Sequence, residues 1–258
     1  MYRFLLSRRW LGLAAAATVV AACCVLLGLW QLDRWEQRSA RNDLVEENLA
    51  APPVAPGELL DGCESLPAEA EWRRVRATGR YDGEAELLVR NRPLDGSTGY
   101  YVLTPLVPAE GPALLVNRGW LPAGRSASVP DTVPPPPGGE VTVVARLRPA
   151  EEGDGGPDAP AGQVRRIDVP AIARDLPYDV YAAYAELVRQ SPTTSEAPTA
   201  LPPPDPGPGP NLAYALQWFV FGGIALGGLV VLARREAREV ADEPRAPEPA
   251  VVAGQRAG

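Results

Sequence analysis

Histidine is absent from the 258 residues, and so is lysine: all 25 basic residues are arginine. Without an imidazole base, Ser-His and Cys-His nucleophilic chemistry is excluded. The same lack, together with only three cysteines and no Cys-x-x-Cys spacing, leaves almost no ligands for copper or zinc. There is no Gly-x-Ser-x-Gly elbow, no phosphate-binding Gly-Lys loop and no dinucleotide fingerprint. Acidic pairs such as Glu151-Glu152 lie in low-complexity loops, where carboxylates are solvated surface. Cys23 and Cys24 fall inside an apolar run and Cys63 stands alone, so no internal disulfide is expected outside that run. These absences point away from an enzyme.

Two long apolar runs dominate what is present, over residues 10–32 and 212–233. The second holds 22 residues without a formal charge. As a helix it reaches about 33 Å, enough for a hydrocarbon core of about 30 Å. The net charge is −7; residues 1–30 contribute +3 and residues 233–258 contribute 0, so the stretch between carries −10. Arg3, Arg8 and Arg9 precede the first run, and Arg234, Arg235 and Arg238 follow the second. By the positive-inside rule both termini are then cytoplasmic and the acidic middle lies outside a cell membrane crossed twice. An acidic domain without a basic stripe argues against nucleic acid as a partner. The rival reading is a processed lipoprotein, with Val20-Ala21-Ala22-Cys23 as its cleavage box. The apolar run continues to Trp30, longer than a signal's core, which favours an uncleaved anchor.

The expected organisation is a lead over residues 1–9, a first span over 10–32, a β-rich domain over 33–191, a tether over 192–211, a second span over 212–233 and a disordered tail over 234–258. The first helix should continue to about Asn48. Residues 49–70 read as a Pro- and acid-rich connector. Short apolar and β-branched runs at 74–81, 86–91, 100–107, 113–120 and 141–148 predict five strands at hairpin spacing. Val141, Val143, Ala145 and Leu147 alternate onto one face. The fold class is therefore two transmembrane helices flanking a mainly antiparallel β (α+β) extracytoplasmic domain, as a sheet or a small barrel. Residues 170–174 could open a short helix with Pro at its first turn, and 179–189 fit either a strand or a helix. Eight of the 19 residues over 192–210 are Pro, which predicts a stiff, extended tether.

Polar and aromatic residues gather where the runs end. Trp30, Arg34 and Arg38 recur every four residues and share a helix face. Asn211, Tyr214, Gln217, Trp218 and Phe221 form a matching stripe, with Asn211 as helix cap. Gly223 and Gly227 offer a small-xxx-small face for another helix. If the two runs pair, Trp30, Gln31, Arg34, Tyr214, Gln217 and Trp218 form one site at one depth.

Four stretches together resemble the surfeit locus protein one family, the assembly factors of cytochrome c oxidase. They are Gly28-Leu29-Trp30-Gln31-Leu32-Asp33-Arg34; Arg76-Ala77-Thr78-Gly79-Arg80-Tyr81-Asp82; Gly99–Leu106 followed by Leu115-Val116-Asn117-Arg118-Gly119-Trp120-Leu121-Pro122; and Tyr214-Ala215-Leu216-Gln217-Trp218-Phe219. The resemblance implies a non-enzymatic role in helping heme a reach the main oxidase subunit, with that subunit and heme a synthase as partners and the membrane lipid around the spans. The same six residues become the candidates for transient heme a contact. Where the family often carries a His, this chain has Asn211, which removes the ordinary axial ligand; Tyr214 is the remaining oxygen donor of a kind that can ligate heme iron. Gly79, Gly99, Asn117, Arg118, Gly119 and Trp120 read first as structural residues of the domain. The alternative is a membrane-tethered binding domain with an unrelated protein or small-molecule partner.

Overall fold

The computed structural model describes residues 6–60, 65–124, 129–153, 159–205, 207 and 209–242. Arg3, Cys63 and residues 243–258 of the expected tail lie outside the described residues. The chain forms two compact units, residues 40–207 and residues 1–39 with 208–258.

The first unit is built on seven strands: β1 Arg74–Tyr81, β2 Leu87–Leu94, β3 Ser97–Val107, β4 Ala113–Pro122, β5 Val141–Pro149, β6 Gln163–Val164 and β7 Val180–Ser191. The five expected strands are present within a few residues of their predicted limits. The ambiguous stretch over 179–189 is a strand. Their order is β1-β5-β7-β4-β3-β2-β6, and β1 also pairs with β3. That extra pairing closes β1, β5, β7, β4 and β3 into a five-stranded barrel. A ring of five strands cannot reverse direction at every step, so at least one neighbouring pair must run parallel. That pair is β4 with β7. A second parallel pairing joins β2 to β6. The sheet is thus mainly antiparallel, as expected, and closes as a barrel, but it is mixed through two parallel pairings that hairpin spacing does not reveal.

Closure depends on a glycine. β1 meets β3 only through Arg80 opposite Val107 and Tyr81 opposite Leu106. A Cβ at Gly79 would lie 2.4 Å from the Val107 carbonyl oxygen, so any other residue would hold the strands apart.

Two apolar layers follow from the period-two alternation. Val141, Val143, Ala145 and Leu147 are fully buried on one layer with Val75, Leu106, Leu114, Val116, Ala183 and Ala185. On the other, Val89, Leu103, Leu115 and Tyr184 are covered by Ile167 and by the helix α2, Val169–Ala173, through Val169 and Ile172. Asp168 caps that helix by accepting from the Ala171 N–H at 3.0 Å. Each fully buried Leu, Ile or Val contributes about 1.5–3 kcal/mol of transfer free energy.

Residues 51–70 do more than connect. Leu60, Leu66 and Ala70 are buried in the barrel core, and Val54 makes a parallel bridge to Val75. The Pro-rich stretch after β7 is also partly docked. Thr199 pairs with Trp120, exchanging two backbone hydrogen bonds of 2.8 Å each. Pro198 is buried, Arg146 donates to the Leu201 carbonyl at 3.1 Å, and Asn42 donates to the Gly207 carbonyl at 3.4 Å. The expected stiff, extended tether is, over residues 198–202, a strap held to the barrel.

The second unit consists of the first part of α1, Arg8–Ala50, and of α3, Asn211–Asp242. Both are long and apolar enough to cross a membrane. Ser7 caps α1, accepting from the Trp10 N–H. α3 runs beyond residue 233, so part of the expected tail is helical. Arg234, Arg235, Glu236, Ala237, Arg238 and Glu239 favour helix, and Arg235 with Glu239 has the i,i+4 spacing of a charge pair.

Candidate functional site on the helix pair

Burial along α1 recurs at Trp10, Ala14, Ala17, Ala21, Cys24, Gly28, Gln31 and Trp35, and along α3 at Asn211, Ala215, Trp218, Gly222, Ala225 and Leu229. Both series alternate steps of three and four, the 3.5-residue repeat of a left-handed helix pair. Small residues at most of these positions let the backbones approach closely. A Cβ at Gly28 would lie 2.7 Å from the Phe219 ring, and one at Gly222 would lie 3.3 Å from Cys24 Cβ. At one end Gly209 abuts Arg38, and at the other Arg9 and Arg235 line one cavity. The helices are therefore antiparallel in a fixed register, with Gln217 level with Trp30 and Tyr214 level with Arg34.

The small-xxx-small face offered to another helix is not the one that meets α1. Gly223 and Gly227 are exposed, and nothing lies within 4 Å of a Cβ built on either. The contact runs through Gly222, Ala215 and Ala225 because only those positions continue the 3.5-residue seam.

The six residues singled out in the sequence divide between two environments. Gln31 and Trp218 turn toward the seam and are half-buried. Trp30 and Tyr214 are 55% and 48% exposed, and Arg34 and Gln217 are exposed as well. Written as heptads with the seam at a and d, Trp30 and Gln217 take position c, and Arg34 and Tyr214 take g. In an antiparallel pair the g positions of both helices line the same flank, with c beside them. The far end displays this relation directly: Arg9 at c and Leu13 and Arg235 at g line one cavity. Trp30, Arg34, Tyr214 and Gln217 thus lie on one flank at one level, and Phe221 continues it along α3. Trp218 bridges seam and flank, its ring edge-on to Phe221 with centroids 6.0 Å apart.

This flank offers flat aromatic walls beside the cations Arg34 and Arg38. Among the described residues Arg34 has no ion-pair partner, whereas neighbouring Asp33 accepts from Gln37 at 2.9 Å. The donor set suits a planar apolar group bearing carboxylates. It does not suit tight ligation of a metal: no imidazole is present, Cys24 is buried in the seam, and no group of three His, Cys, Asp or Glu side chains exists among the described residues. Tyr214 gives the flank an exposed phenol, and Gln217 an exposed amide.

In the barrel, the stretch Val116-Asn117-Arg118-Gly119-Trp120 is a structural joint. Asn117 Oδ1 accepts from the Gly119 N–H at 3.1 Å. Arg118 is buried, donates to Glu86 at 2.8 Å and to the Pro134 and Pro135 carbonyls, and lies over the Tyr81 ring. The Trp120 indole donates to the Arg92 carbonyl at 2.7 Å. It packs over Gly99, where a Cβ would meet Trp120 at 2.5 Å. Gly119 has φ +140° and sits against the strap rather than in a turn. Burial and the neighbouring Arg118 act oppositely on Tyr81; burial prevails and pushes the phenol above its ordinary range.

A second barrel cluster was not foreseen. Trp72, at φ 70°, carries Arg148 3.8 Å and Arg146 5.8 Å above its ring. Glu186 pairs with Arg146 at 3.2 Å, and Arg92 pairs with Glu151 while lying over Tyr101. The visible signal was the alternation Arg146-Leu147-Arg148, whose polar positions fall on the face opposite the core.

The model of the SURF1 family, named for surfeit locus protein one, matches residues 18–223. An uncharacterized SURF1-like protein of Mycobacterium bovis is 33% identical over 258 residues, covering 96% of this chain and 94% of its own length. A SURF1-like protein of Rickettsia bellii is 33% identical over 98 residues, covering 37% of this chain and 38% of its own. The cytochrome oxidase assembly protein SHY1 of Saccharomyces cerevisiae is 29% identical over 114 residues, covering 43% of this chain and 28% of its own. The family match includes the whole barrel and part of each long helix, so the chain belongs to the SURF1 family.

Proposed function

We propose that this protein is a membrane-bound assembly factor for cytochrome c oxidase that assists heme a on its way into the main oxidase subunit without catalysing a reaction. α1 and α3 cross the membrane, both termini are cytoplasmic, and the barrel stands on the outer side. Family membership and the likeness to the yeast assembly protein support the oxidase role. The observation that carries the heme reading is the single flank formed by Trp30, Arg34, Tyr214 and Gln217. Heme a is cargo here: its ring would lie against Trp30 and Tyr214 and its propionates toward Arg34 and Arg38. With Asn211 in the place of the family's histidine, the iron's strong ligand comes from the receiving partner, and the protein holds heme a only in passing. The main oxidase subunit and heme a synthase are the partners this role requires.

Reduced-minus-oxidised spectra of membranes test it. A strain lacking the gene should lose the a-type signal while b- and c-type signals remain, and wild-type protein should restore it. Trp30→Ala with Tyr214→Ala should fail to restore it although the protein accumulates. These exposed positions are better probes than Trp218, whose truncation also loosens the seam. Full restoration by the double variant would refute the flank as the site.

A further inference from the structure

At the end of the helix pair away from that site, α1 and α3 border an open cavity of 240 Å³ between Arg9, Trp10 and Leu13 on one side and Leu232, Arg235, Glu236 and Glu239 on the other. Trp10 is only 4% exposed, a wall of the cavity rather than an aromatic lying in the lipid belt. Arg8, Arg9, Arg234, Arg235 and Arg238 are all exposed, and none of them makes an ion pair or hydrogen bond among the described residues. The lining balances Arg9 and Arg235 against Glu236 and Glu239, and Arg8, Arg234 and Arg238 nearby add three positive charges outside it. Orientation by flanking charge requires arginines but no cavity and no inserted indole. Leu13 lies one turn inward of Arg9, and Leu232 one turn inward of Arg235, so the cavity passes from charged to apolar along the helices.

We propose that this cavity binds the headgroup of an anionic phospholipid of the phosphatidylglycerol class. The inference rests on the reading that both helices span a membrane. Arg9 and Arg235, one from each helix, donate to the phosphate oxygens. Glu236 and Glu239 accept from the hydroxyls of the glycerol headgroup. Trp10 walls the site, and the acyl chains follow Leu13 and Leu232. A lipid held by both helices would fix the register of the pair at the end opposite the Trp30 flank.

Native mass spectrometry of the full-length protein in detergent tests this, with phosphatidylglycerol, phosphatidylethanolamine, phosphatidylcholine and inorganic phosphate titrated separately. The expected result is one phosphatidylglycerol retained per chain in preference to the other three. Arg9→Gln with Arg235→Gln should weaken retention about thirtyfold, about fivefold for each arginine at a membrane surface. Arg8→Gln with Arg234→Gln, outside the cavity, should weaken it clearly less than the first pair does. Arg9→Lys with Arg235→Lys keeps the charges and should recover most of the binding, which separates loss of the site from misfolding. Equal losses in both glutamine pairs would replace the site by diffuse charge. A preference for phosphatidylethanolamine would overturn the headgroup assignment, and equal binding of inorganic phosphate would overturn the lipid as its source. Alkaline extraction of membranes separates this inference from the reading beneath it. A chain that is extracted refutes both, whereas a chain that stays in the membrane but retains no lipid refutes the cavity alone.

Discussion

Gly119→Ala should detach the strap from the barrel while leaving the barrel folded. At φ +140° an alanine carries about 1–3 kcal/mol of backbone strain. Its Cβ would lie 2.5 Å from the Thr199 carbonyl oxygen and 3.0 Å from Pro198 Cβ, so the strap must move. Moving it breaks both 2.8 Å backbone bonds between Trp120 and Thr199, each contributing about 0.5–1.5 kcal/mol net. It also exposes Pro198 and draws Leu201 away from Arg146. The combined cost is about 3–5 kcal/mol. Hydrogen exchange on the full-length protein resolves the two parts. The Thr199 and Trp120 amides should lose at least about thirtyfold in protection, while amides shared between β1 and β5 keep theirs. Gly138→Ala is the control, since nothing lies within 4 Å of a Cβ there. Lowered stability with unchanged protection at Thr199 would mean that the strain stays within β4. No change in either would refute the role given to Gly119.

Two further perturbations address the barrel's buried charges. Glu86→Ala leaves the Arg118 guanidinium, whose side chain is 1% exposed, with carbonyl partners alone and deprives Thr104 of its acceptor. Denaturant unfolding should show a loss of about 3–5 kcal/mol, with Glu86→Gln costing less; a loss below about 1 kcal/mol would show that the carbonyls suffice. Glu186 has its carboxyl pushed above the ordinary 4.5 chiefly by burial, with Arg148 and Arg146 pulling it back. The folded state therefore holds that proton more tightly than the unfolded state, so this group's stabilising contribution is complete below pH 4.5 and lost as pH rises through the raised value. The melting temperature of the wild type relative to Glu186→Gln should fall across that window and then level; a difference that grows with pH would give control to the arginines instead.

What the sequence made legible follows the physics of short range. Alternation placed β1 through β5, because one face of each strand is apolar and period two is local. β7 stayed ambiguous because alanine is depleted in strands; Ala183 and Ala185 are there because they face the crowded interior of the ring. Closure of that ring, its parallel pair and the burial of Leu60 and Leu66 depend on residues far apart in the chain, and no local pattern announces them. The docked strap was hidden for a related reason. Proline cannot donate to a ladder, so a Pro-rich stretch reads as free, yet Thr199 supplies the one donor and acceptor the joint with Trp120 uses. Nor could spacing separate the joint at Asn117–Trp120 from a binding motif, since only contacts reveal that these groups are occupied by Glu86, Arg92 and the strap.

The helix pair shows where a local motif misleads and a longer one does not. Gly223 and Gly227 satisfy the small-xxx-small pattern, but a pair of positions cannot say which face of a helix continues for its whole length. Ala14, Ala17, Ala21, Cys24 and Gly28 repeat by threes and fours over many turns, as do Ala215, Trp218, Gly222 and Ala225, and only those two rows can remain in register along each other. The same repeat divides the polar-aromatic stripe that looked single in sequence. Small residues close the seam, whereas Trp30, Arg34, Tyr214 and Gln217 project from its flank and contribute little to closing it. Pairing is thereby carried by the seam residues, while the flank residues stay exposed on the same two helices. Substitutions on the exposed flank leave that seam intact, while Gly28 and Gly222 keep the two helices together.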